Sequence, residues 1–224
     1  MSGLTSWERI GLAMRGEEPD RVPFFLPVTL HGARAVGVPL RDYLSRPADA
    51  VEGQLRLRAR FGHDMVYGFL HASAEVEAFG GESLRYDDGP PNDGEPPVRP
   101  DTIRSLQPPR PEEVPALRRA LELIRGLSAR VAGQCPVVGV VVSPFSLPAM
   151  QLGLTTWIEL IYEQPELAER LIQVNEAFTV AWANAQLAAG AAPLVFFDPV
   201  ASPNLVPSAV YLGLAKLLGL EELA

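Results

Sequence analysis

The stretch that decides the fold runs Cys135-Pro136-Val137-Val138-Gly139-Val140-Val141-Val142. After the cysteine it contains no charge and five valines in seven residues, a composition typical of a strand that is buried on both faces. Apolar residues recur at helical spacings before it, over residues 111–131, and after it, over residues 155–189. Helix, strand and helix therefore alternate, which predicts an α/β protein with a parallel sheet.

Three further apolar runs, at residues 22–27, 63–70 and 194–198, have the length of strands. The prolines in the first run indicate an edge strand, because proline cannot donate to a ladder. We count four parallel strands, each followed by helical material, in a single domain over residues 1–224. A proline-rich segment at residues 86–111 interrupts the alternation. We predict an ordered surface loop there, with a functional flap as the alternative.

Composition restricts the class of protein. The chain has 224 residues, of which 47% are hydrophobic and 21% charged, enough for one globular core. The net charge of -8 argues against nucleic acid or an anionic membrane as a partner. The single cysteine, Cys135, excludes an internal disulfide and favours a reducing compartment. Because no leader-like segment or membrane-length apolar run is present, we expect a cytoplasmic protein.

Reactive side chains in parallel sheets collect where the strands end. The residues that follow the four predicted strands are His31 and Arg34, then His71, then Phe145 in the turn 143–147, and finally Asp198. We take His71 and Asp198 as candidate catalytic residues and the others as candidate substrate contacts. Each also has a structural explanation: a solvated histidine, an internal ion pair, core packing or a turn cap. Glu75 and Glu77 fit a solvated helix face. We predict no metal site, because one histidine does not make one.

Five phrases occur in the order and with the spacing of a known family. They are Gly-Glu-Glu-Pro-Asp-Arg-Val-Pro at residues 16–23, Arg-Phe-Gly-His-Asp at 60–64, Glu-Val-Glu-Ala-Phe-Gly at 75–80, Ser-Pro-Phe-Ser-Leu at 143–147 and Asp-Pro-Val-Ala-Ser at 198–202. Over residues 1 to about 210 the chain resembles the uroporphyrinogen decarboxylase superfamily, which includes the corrinoid-dependent methyltransferases. The resemblance implies a TIM-type (β/α)8 barrel with the active site in the barrel mouth.

Several positions at which the chain departs from the family pattern indicate which branch of the superfamily it resembles more. Where uroporphyrinogen decarboxylases carry two arginines after the first strand, this chain keeps only the second, Arg34. Their central aspartate falls on His71, their active-site tyrosine near Met150 and their serine on Pro199. A substrate with eight carboxylates needs several cationic partners, because each buried carboxylate left unpaired costs several kcal/mol. One arginine is too few.

The phrase at residues 198–204 looks more like the methyltransferases, which move a methyl group from a corrinoid protein to a thiol. The resemblance adds Met150, Ser202 and Asn204 to the candidate substrate contacts. In those enzymes a His-x-Cys pair and a later cysteine, in the second half of the barrel, hold a zinc ion that activates the thiol. This chain stops before them. We therefore expect no cofactor in this chain, and zinc only in a full-length protein.

Four strands cannot close a barrel that typically needs ~250 residues. We predict an incomplete barrel, either a fragment or a chain completed by association through its open edge, for example with a second copy. Three functions stay open: a corrinoid-dependent methyltransferase-like protein truncated before the zinc site, a uroporphyrinogen decarboxylase of porphyrin biosynthesis, and a non-catalytic remnant or binding protein. The resemblance favours an enzyme that acts on a small molecule or a corrinoid protein. The incomplete barrel weighs against activity of this chain alone.

Overall fold

The computed structural model describes residues 3–87 and 89–216. The helical material expected after the fourth strand extends partly beyond residue 216 and so lies partly outside these ranges. Ten α-helices occur in the described residues: α1 Ser6–Met14, α2 Gly32–Val36, α3 Leu40–Ser45, α4 Pro47–Phe61, α5 Ser73–Glu77, α6 Pro115–Val131, α7 Leu147–Leu152, α8 Leu154–Glu163, α9 Pro165–Ala188 and α10 Ser208–Lys216. The strands are β1 Val66–Tyr67, β2 Ser83–Leu84, β3 Asn92–Asp93, β4 Val137–Val142 and β5 Leu194–Phe197. Short 3-10 helices lie at Thr29–His31, Pro100–Ser105 and Pro111–Glu113.

The central sheet is parallel and has the order β1-β4-β5. Val66 pairs with Val137 on one side of β4, and Gly139 pairs with Leu194 on the other. All six residues of β4 are buried, so the valine run forms the central strand that the sequence predicts. Each buried valine contributes roughly 1.5–3 kcal/mol through removal of its side chain from water.

The predicted first strand is not part of this sheet, so the prediction of four paired parallel strands is wrong. Residues 22–28 form no ladder with β1. The main-chain contact is a single hydrogen bond of 2.7 Å from Asp64 N to Phe24 O. The prolines at 23 and 27 cannot donate, which explains the missing ladder. The segment nevertheless lies beside β1, because the Phe25 and Tyr67 ring centroids are 4.6 Å apart.

Three hydrophobic clusters occur among the described residues. The larger lies between the sheet and the helices and includes Leu123, Ile124 and Leu127 of α6. The second cluster joins α7, α8 and α9 around the fully buried Trp157. Tyr67, Val138 and Val140 form a smaller cluster on the opposite, inner face of the sheet. None of the described helices has both the length and the apolarity needed to cross a membrane.

The proline-rich segment is anchored to this core. β2 and β3 pair antiparallel at its start, and Ile103 in the following 3-10 helix is fully buried. Val98 N donates to Gln151 O of α7 at 3.1 Å. The side-chain amides of Gln151 and Asn175 exchange two hydrogen bonds of 2.8 and 2.9 Å, which fix α7 against α9.

A buried ionic cluster holds the N-terminal helix at the amino ends of the strands. The Asp64 side chain is 1% exposed and accepts hydrogen bonds from Arg9, Arg21, Ser6 and the Phe24 N–H, at 2.6 to 2.9 Å. Burial by itself would raise the pKa of Asp64, but these hydrogen bonds, led by that from Arg21, outweigh it and lower the pKa to about 2. The carboxylate therefore joins α1, residues 21–24 and the start of β1.

We expect Asp64→Asn to lower the free energy of unfolding by about 3 kcal/mol at pH 7, because Arg9 would keep Asp20 as a partner but lose the buried carboxylate that it shares with Arg21. The measurement is urea denaturation. The folded pKa lies below the unfolded value of about 3.9, so this stability is present above that pH and is lost as the pH falls towards 2. The variant should lack this part of the acid dependence.

The matched control is Asp101→Asn, which removes a surface ion pair whose Arg99 and Asp101 side chains are 72% and 70% exposed. Its effect should stay below about 0.5 kcal/mol. Equal effects of the two substitutions would contradict a stabilising role for the Asp64 cluster.

Candidate functional site

The carboxyl ends of β4 and β5 are joined by a cluster of polar side chains. Ser143 follows β4 and Asp198 follows β5, and neighbouring parallel strands end at the same edge of a sheet. The hydroxyls of Ser143 and Ser146 both donate to Asp198 Oδ1 at 2.5 Å. Ser143 Oγ in turn accepts from Ser146 N at 2.8 Å, which closes the turn into α7.

The second oxygen of Asp198 is also engaged. Tyr211 of α10 donates its hydroxyl to Asp198 Oδ2 at 3.1 Å, and its ring packs edge-on against Phe145. Burial, together with the nearby carboxylate, raises the pKa of Tyr211, so the phenol stays a donor. Asp198 therefore connects β4, β5 and α10, and both of its oxygens already accept hydrogen bonds. Its predicted catalytic role stays a prediction.

An apolar cavity of about 220 Å³ lies on the inner face of the sheet, beside these strand ends. Its lining residues are Pro27, Thr29, Tyr67, Phe69, Val140, Val195 and Phe197. None of them is charged, and the hydroxyls of Thr29 and Tyr67 are the polar side-chain groups among them. Burial raises the pKa of Tyr67, which keeps this phenol neutral. Such a cavity suits an uncharged group and excludes an unpaired carboxylate.

A second, more open groove of about 320 Å³ contains His31 and Arg34, two of the predicted substrate contacts. Both side chains are exposed. Asp87, Gly89 and Pro90 of the proline-rich loop line the groove as well. The structure thus brings the two predicted residues together on the segment that leads away from residues 22–28.

Tyr43 positions the segment that carries these two residues. Its hydroxyl donates to Thr29 O at 3.1 Å, and Gln54 donates to the same carbonyl at 2.8 Å. Burial raises the pKa of Tyr43 to about 12. At Gly32 a β-carbon would lie 2.0 Å from the Tyr43 hydroxyl oxygen, so glycine is required there for this close approach.

His71, the other catalytic candidate, lies in a different place. It lines a small cavity of about 20 Å³ together with Glu75, Arg119 and Gln186. This cavity shares Phe69 and Val140 with the apolar cavity and no lining residue with the His31 groove. Its Nδ1 is buried without a hydrogen-bond partner among the described residues. Burial, reinforced by Arg85 and Arg119, lowers the pKa of His71 to about 4, so the imidazole is neutral at physiological pH.

Glu75 is a buried carboxyl that sequence reasoning missed. The interpretation as a solvated helix face is wrong for this residue, which is 2% exposed. Its carboxyl group accepts Val142 N at 3.1 Å because β1 ends before it can pair with this part of β4. Burial raises the pKa of Glu75 to about 8, although the hydrogen bond from Val142 acts in the opposite direction. No local sequence signal indicates this role, since it depends on where a distant strand ends.

The remaining predicted contacts lie outside the apolar cavity and the His31 groove. Phe145 is buried against Trp157, and Met150 packs against the larger hydrophobic cluster. Ser202 and Asn204 belong to the turn after Asp198, where Asn204 N donates to Ser202 Oγ at 3.4 Å. Their roles in substrate binding stay predictions.

The described residues do not fit the zinc site of the methyltransferases that the chain resembles. Within residues 3–87 and 89–216, no group of three His, Cys, Asp or Glu side chains is placed to hold a metal ion. Cys135 is buried just before β4, at the end opposite to Ser143. No chemical step through zinc can therefore be derived from these residues.

We expect Glu75→Gln to remove a pH dependence of stability, since glutamine keeps an acceptor for Val142 N but cannot ionise. The folded pKa of about 8 lies above the unfolded value of about 4.3. The stability that neutral Glu75 contributes is therefore complete below about pH 4 and is lost as the pH rises to about 8. The slope is at most roughly 1.4 kcal/mol per pH unit.

Chemical denaturation between pH 6.5 and 8 should show a falling free energy of unfolding for the original chain relative to Glu75→Gln. Glu163→Gln, at an exposed position of α8, serves as the control and should follow the original chain. Parallel pH profiles for all three proteins would contradict a neutral buried Glu75.

Comparison with known proteins places the chain in a family. The family model described as uroporphyrinogen decarboxylase (URO-D) matches residues 5–216. A methylcobamide:CoM methyltransferase of Methanosarcina barkeri is 27% identical over 93 residues, which are 42% of this chain and 26% of that protein. A uroporphyrinogen decarboxylase of Thermobifida fusca is 30% identical over 175 residues, 72% of this chain and 45% of that protein.

The fold has a counterpart among solved structures. A methyltransferase from Methanosarcina mazei superposes with a TM-score of 0.83 at 22% identity, over 94% of this chain and 64% of that one. The chain spans 26% and 45% of the lengths of the two curated relatives named above. Since the family model covers nearly the whole described sequence, the chain belongs to the uroporphyrinogen decarboxylase family.

Proposed function

We propose that the chain is the substrate-binding part of a corrinoid-dependent methyltransferase-like member of this superfamily, in which a methyl group passes from a corrinoid protein to a thiol. The proposal includes a TIM-type barrel, of which the chain forms an incomplete part with its mouth at Ser143 and Asp198. The observation that carries it is the uncharged lining of the inner cavity.

The charge of the cavity lining distinguishes the substrate of the decarboxylase branch from that of the methyltransferase branch. A porphyrinogen with eight carboxylates needs several cations, because each unpaired carboxylate in an apolar cavity costs several kcal/mol. The cavity supplies none, and the adjoining groove contributes Arg34 and the single imidazole of His31. A methyl group carries no charge, and a cavity that excludes water suits its transfer.

The proposal assigns different tasks to the groups around the cavity. Tyr67 and Thr29 offer hydroxyls that orient a bound group, and the apolar side chains exclude water. Arg34 supplies the positive charge for an anionic acceptor or for the surface of the corrinoid protein. Asp198 acts as a positioning residue, since its three hydroxyl donors fix the turns at the mouth. His71 keeps its predicted catalytic role without an assigned step.

Two observations favour a second candidate, a non-catalytic binding protein. Both oxygens of Asp198 are engaged in internal hydrogen bonds, and the part of the chain that the structure describes holds no metal-binding cluster. A set of metal ligands that could activate a thiol is therefore lacking among the described residues. The decarboxylase stays the third candidate, supported by the similarity to the Thermobifida fusca enzyme.

The test is equilibrium dialysis of the purified chain against methylcobalamin and against uroporphyrin, a stable compound with the eight carboxylates of the decarboxylase substrate. We expect saturable binding of methylcobalamin and at least tenfold weaker binding of uroporphyrin. Thr29→Glu, which places a charge in the cavity, should weaken methylcobalamin binding at least tenfold. Thr155→Glu, at an exposed position of α8, is the matched control and should bind like the original chain.

Other outcomes distinguish the alternatives. Tight uroporphyrin binding that is lost in Arg34→Ala, without methylcobalamin binding, would support the decarboxylase. Binding of neither compound would support the non-catalytic candidate.

A further inference from the structure

An open pocket of about 420 Å³ lies at the amino ends of the strands, at the end of the sheet opposite to the candidate site. The start of α1, the end of α4 and the turn before β4 form its walls. Its charged and hydrogen-bonding side chains include Arg9, Arg21, Arg58, His63, Asp64 and Gln134. Three arginines and one carboxylate give this pocket a positive charge, although the whole chain has a net charge of -8.

Two of the arginines share the buried Asp64 carboxylate, but they differ in how many of their donors are used. All three nitrogens of the Arg9 guanidinium donate to Asp20 or Asp64. Arg21 uses its two terminal nitrogens for Asp64, and its Nε donates no hydrogen bond within the described residues. The Arg21 side chain is also 45% exposed, so it keeps donors for a further partner.

The third arginine, Arg58, carries the uncompensated charge of the pocket. Whereas Arg9 and Arg21 form ion pairs with Asp64, Arg58 forms none with any described residue, and its Nε is buried without a hydrogen-bond partner there. Burial, and then the positive charge of Arg58, lowers the pKa of His63, which shows that Arg58 lies close to this ring. The guanidinium therefore lacks an acceptor from this part of the chain.

The neighbouring His63 is a second polar side chain without a partner. It lines the pocket and is 2% exposed, and its Nδ1 has no hydrogen-bond partner among residues 3–87 and 89–216. Buried polar groups of folded proteins are nearly always hydrogen-bonded, so an unpaired one indicates that a ligand or an ordered water supplies the partner. His63 and Arg58 thus place two donors without acceptors at one wall of the pocket.

The charge balance indicates the class of ligand. Three arginines against Asp64 leave an excess of two positive charges in the lining, and Asp20, which pairs with Arg9 from outside the lining, reduces this excess to one. An anion with one to two negative charges is therefore matched, as a phosphate group is at neutral pH. Two neighbouring N–H groups of a guanidinium also fit two oxygens of one phosphate.

We propose that this pocket binds a phosphate group, either as inorganic phosphate or as part of a small molecule, with Arg58, Arg21 and His63 as its donors. Thr5 and Ser6 line the same pocket at the start of α1, where the helix dipole favours negative charge. The site is independent of the proposed function, because it shares no lining residue with the apolar cavity.

NMR titration of the 15N-labelled chain with inorganic phosphate tests the proposal, with chloride keeping the ionic strength constant because salt screens exposed charges. We expect saturable shifts of residues around the pocket, with a Kd on the order of 1 mM. Acetate, a carboxylate with one charge, should bind at least tenfold more weakly. Glycerol 3-phosphate serves as the second arm, since tighter binding than that of phosphate would identify a phosphorylated small molecule, and weaker binding the free anion, as the ligand.

Two substitutions in different elements locate the site. Arg58→Gln should weaken phosphate binding at least tenfold, and its stability in urea should match the original chain because no ion pair is lost. Arg60→Gln, at an exposed position of the same helix, is the matched control and should bind phosphate normally.

Gln134→Glu, which adds a carboxylate from the turn before β4, should also weaken binding at least tenfold, whereas Gln173→Glu, at an exposed position of α9, should not. The absence of saturable shifts up to about 50 mM phosphate would overturn the proposal. Equal losses of affinity in Arg58→Gln and Arg60→Gln would overturn it as well, because they would show a nonspecific effect of charge.

Discussion

The structure depends on satisfying every backbone polar group of β4. This strand is buried on both faces, so each of its N–H and C=O groups needs a partner inside the protein. β5 provides partners along one side. On the other side, β1 provides partners only near the start of β4. Beyond the end of β1, side chains take the place of a strand. Gln186 forms hydrogen bonds with both the N–H and the carbonyl of Val140, while Glu75 accepts the N–H of Val142 and Thr179 donates to its carbonyl. Helices α5 and α9 are therefore fixed against the sheet by specific hydrogen bonds as well as by apolar packing.

The two ends of the sheet have different chemistry. At the amino ends, Arg9 and Arg21 form ion pairs with Asp64, and this arrangement stabilises the attachment of α1. At the carboxyl ends, neutral hydroxyls surround Asp198 and an apolar cavity opens beside them. Parallel α/β proteins commonly separate stability and function in this way, with ligands at the carboxyl ends of the strands. The comparison with the methyltransferase from Methanosarcina mazei supports the fold of this arrangement.

Local sequence patterns were sufficient to predict those elements that depend on interactions between residues close together in the chain. The valine run predicted β4, and the helical spacing of apolar residues over 111–131 and 155–189 predicted α6 and the pair α8 and α9. The failures involve long-range pairing. Residues 22–27 are apolar enough for a strand, but their prolines remove the donors that a ladder needs. The meeting of His31 and Arg34 in one groove could be expected from their spacing, whereas the burial of Glu75 could not, because it follows from the early end of β1.

The amide pair between Gln151 and Asn175 has a mechanical consequence. Gln151 also receives the backbone N–H of Val98, so the helix that starts at the mouth turn holds the distal part of the proline-rich loop. The proximal part of the same loop forms one wall of the His31 groove. The turn at the mouth is therefore joined, through α7 and Val98, to the loop that forms this wall of the groove.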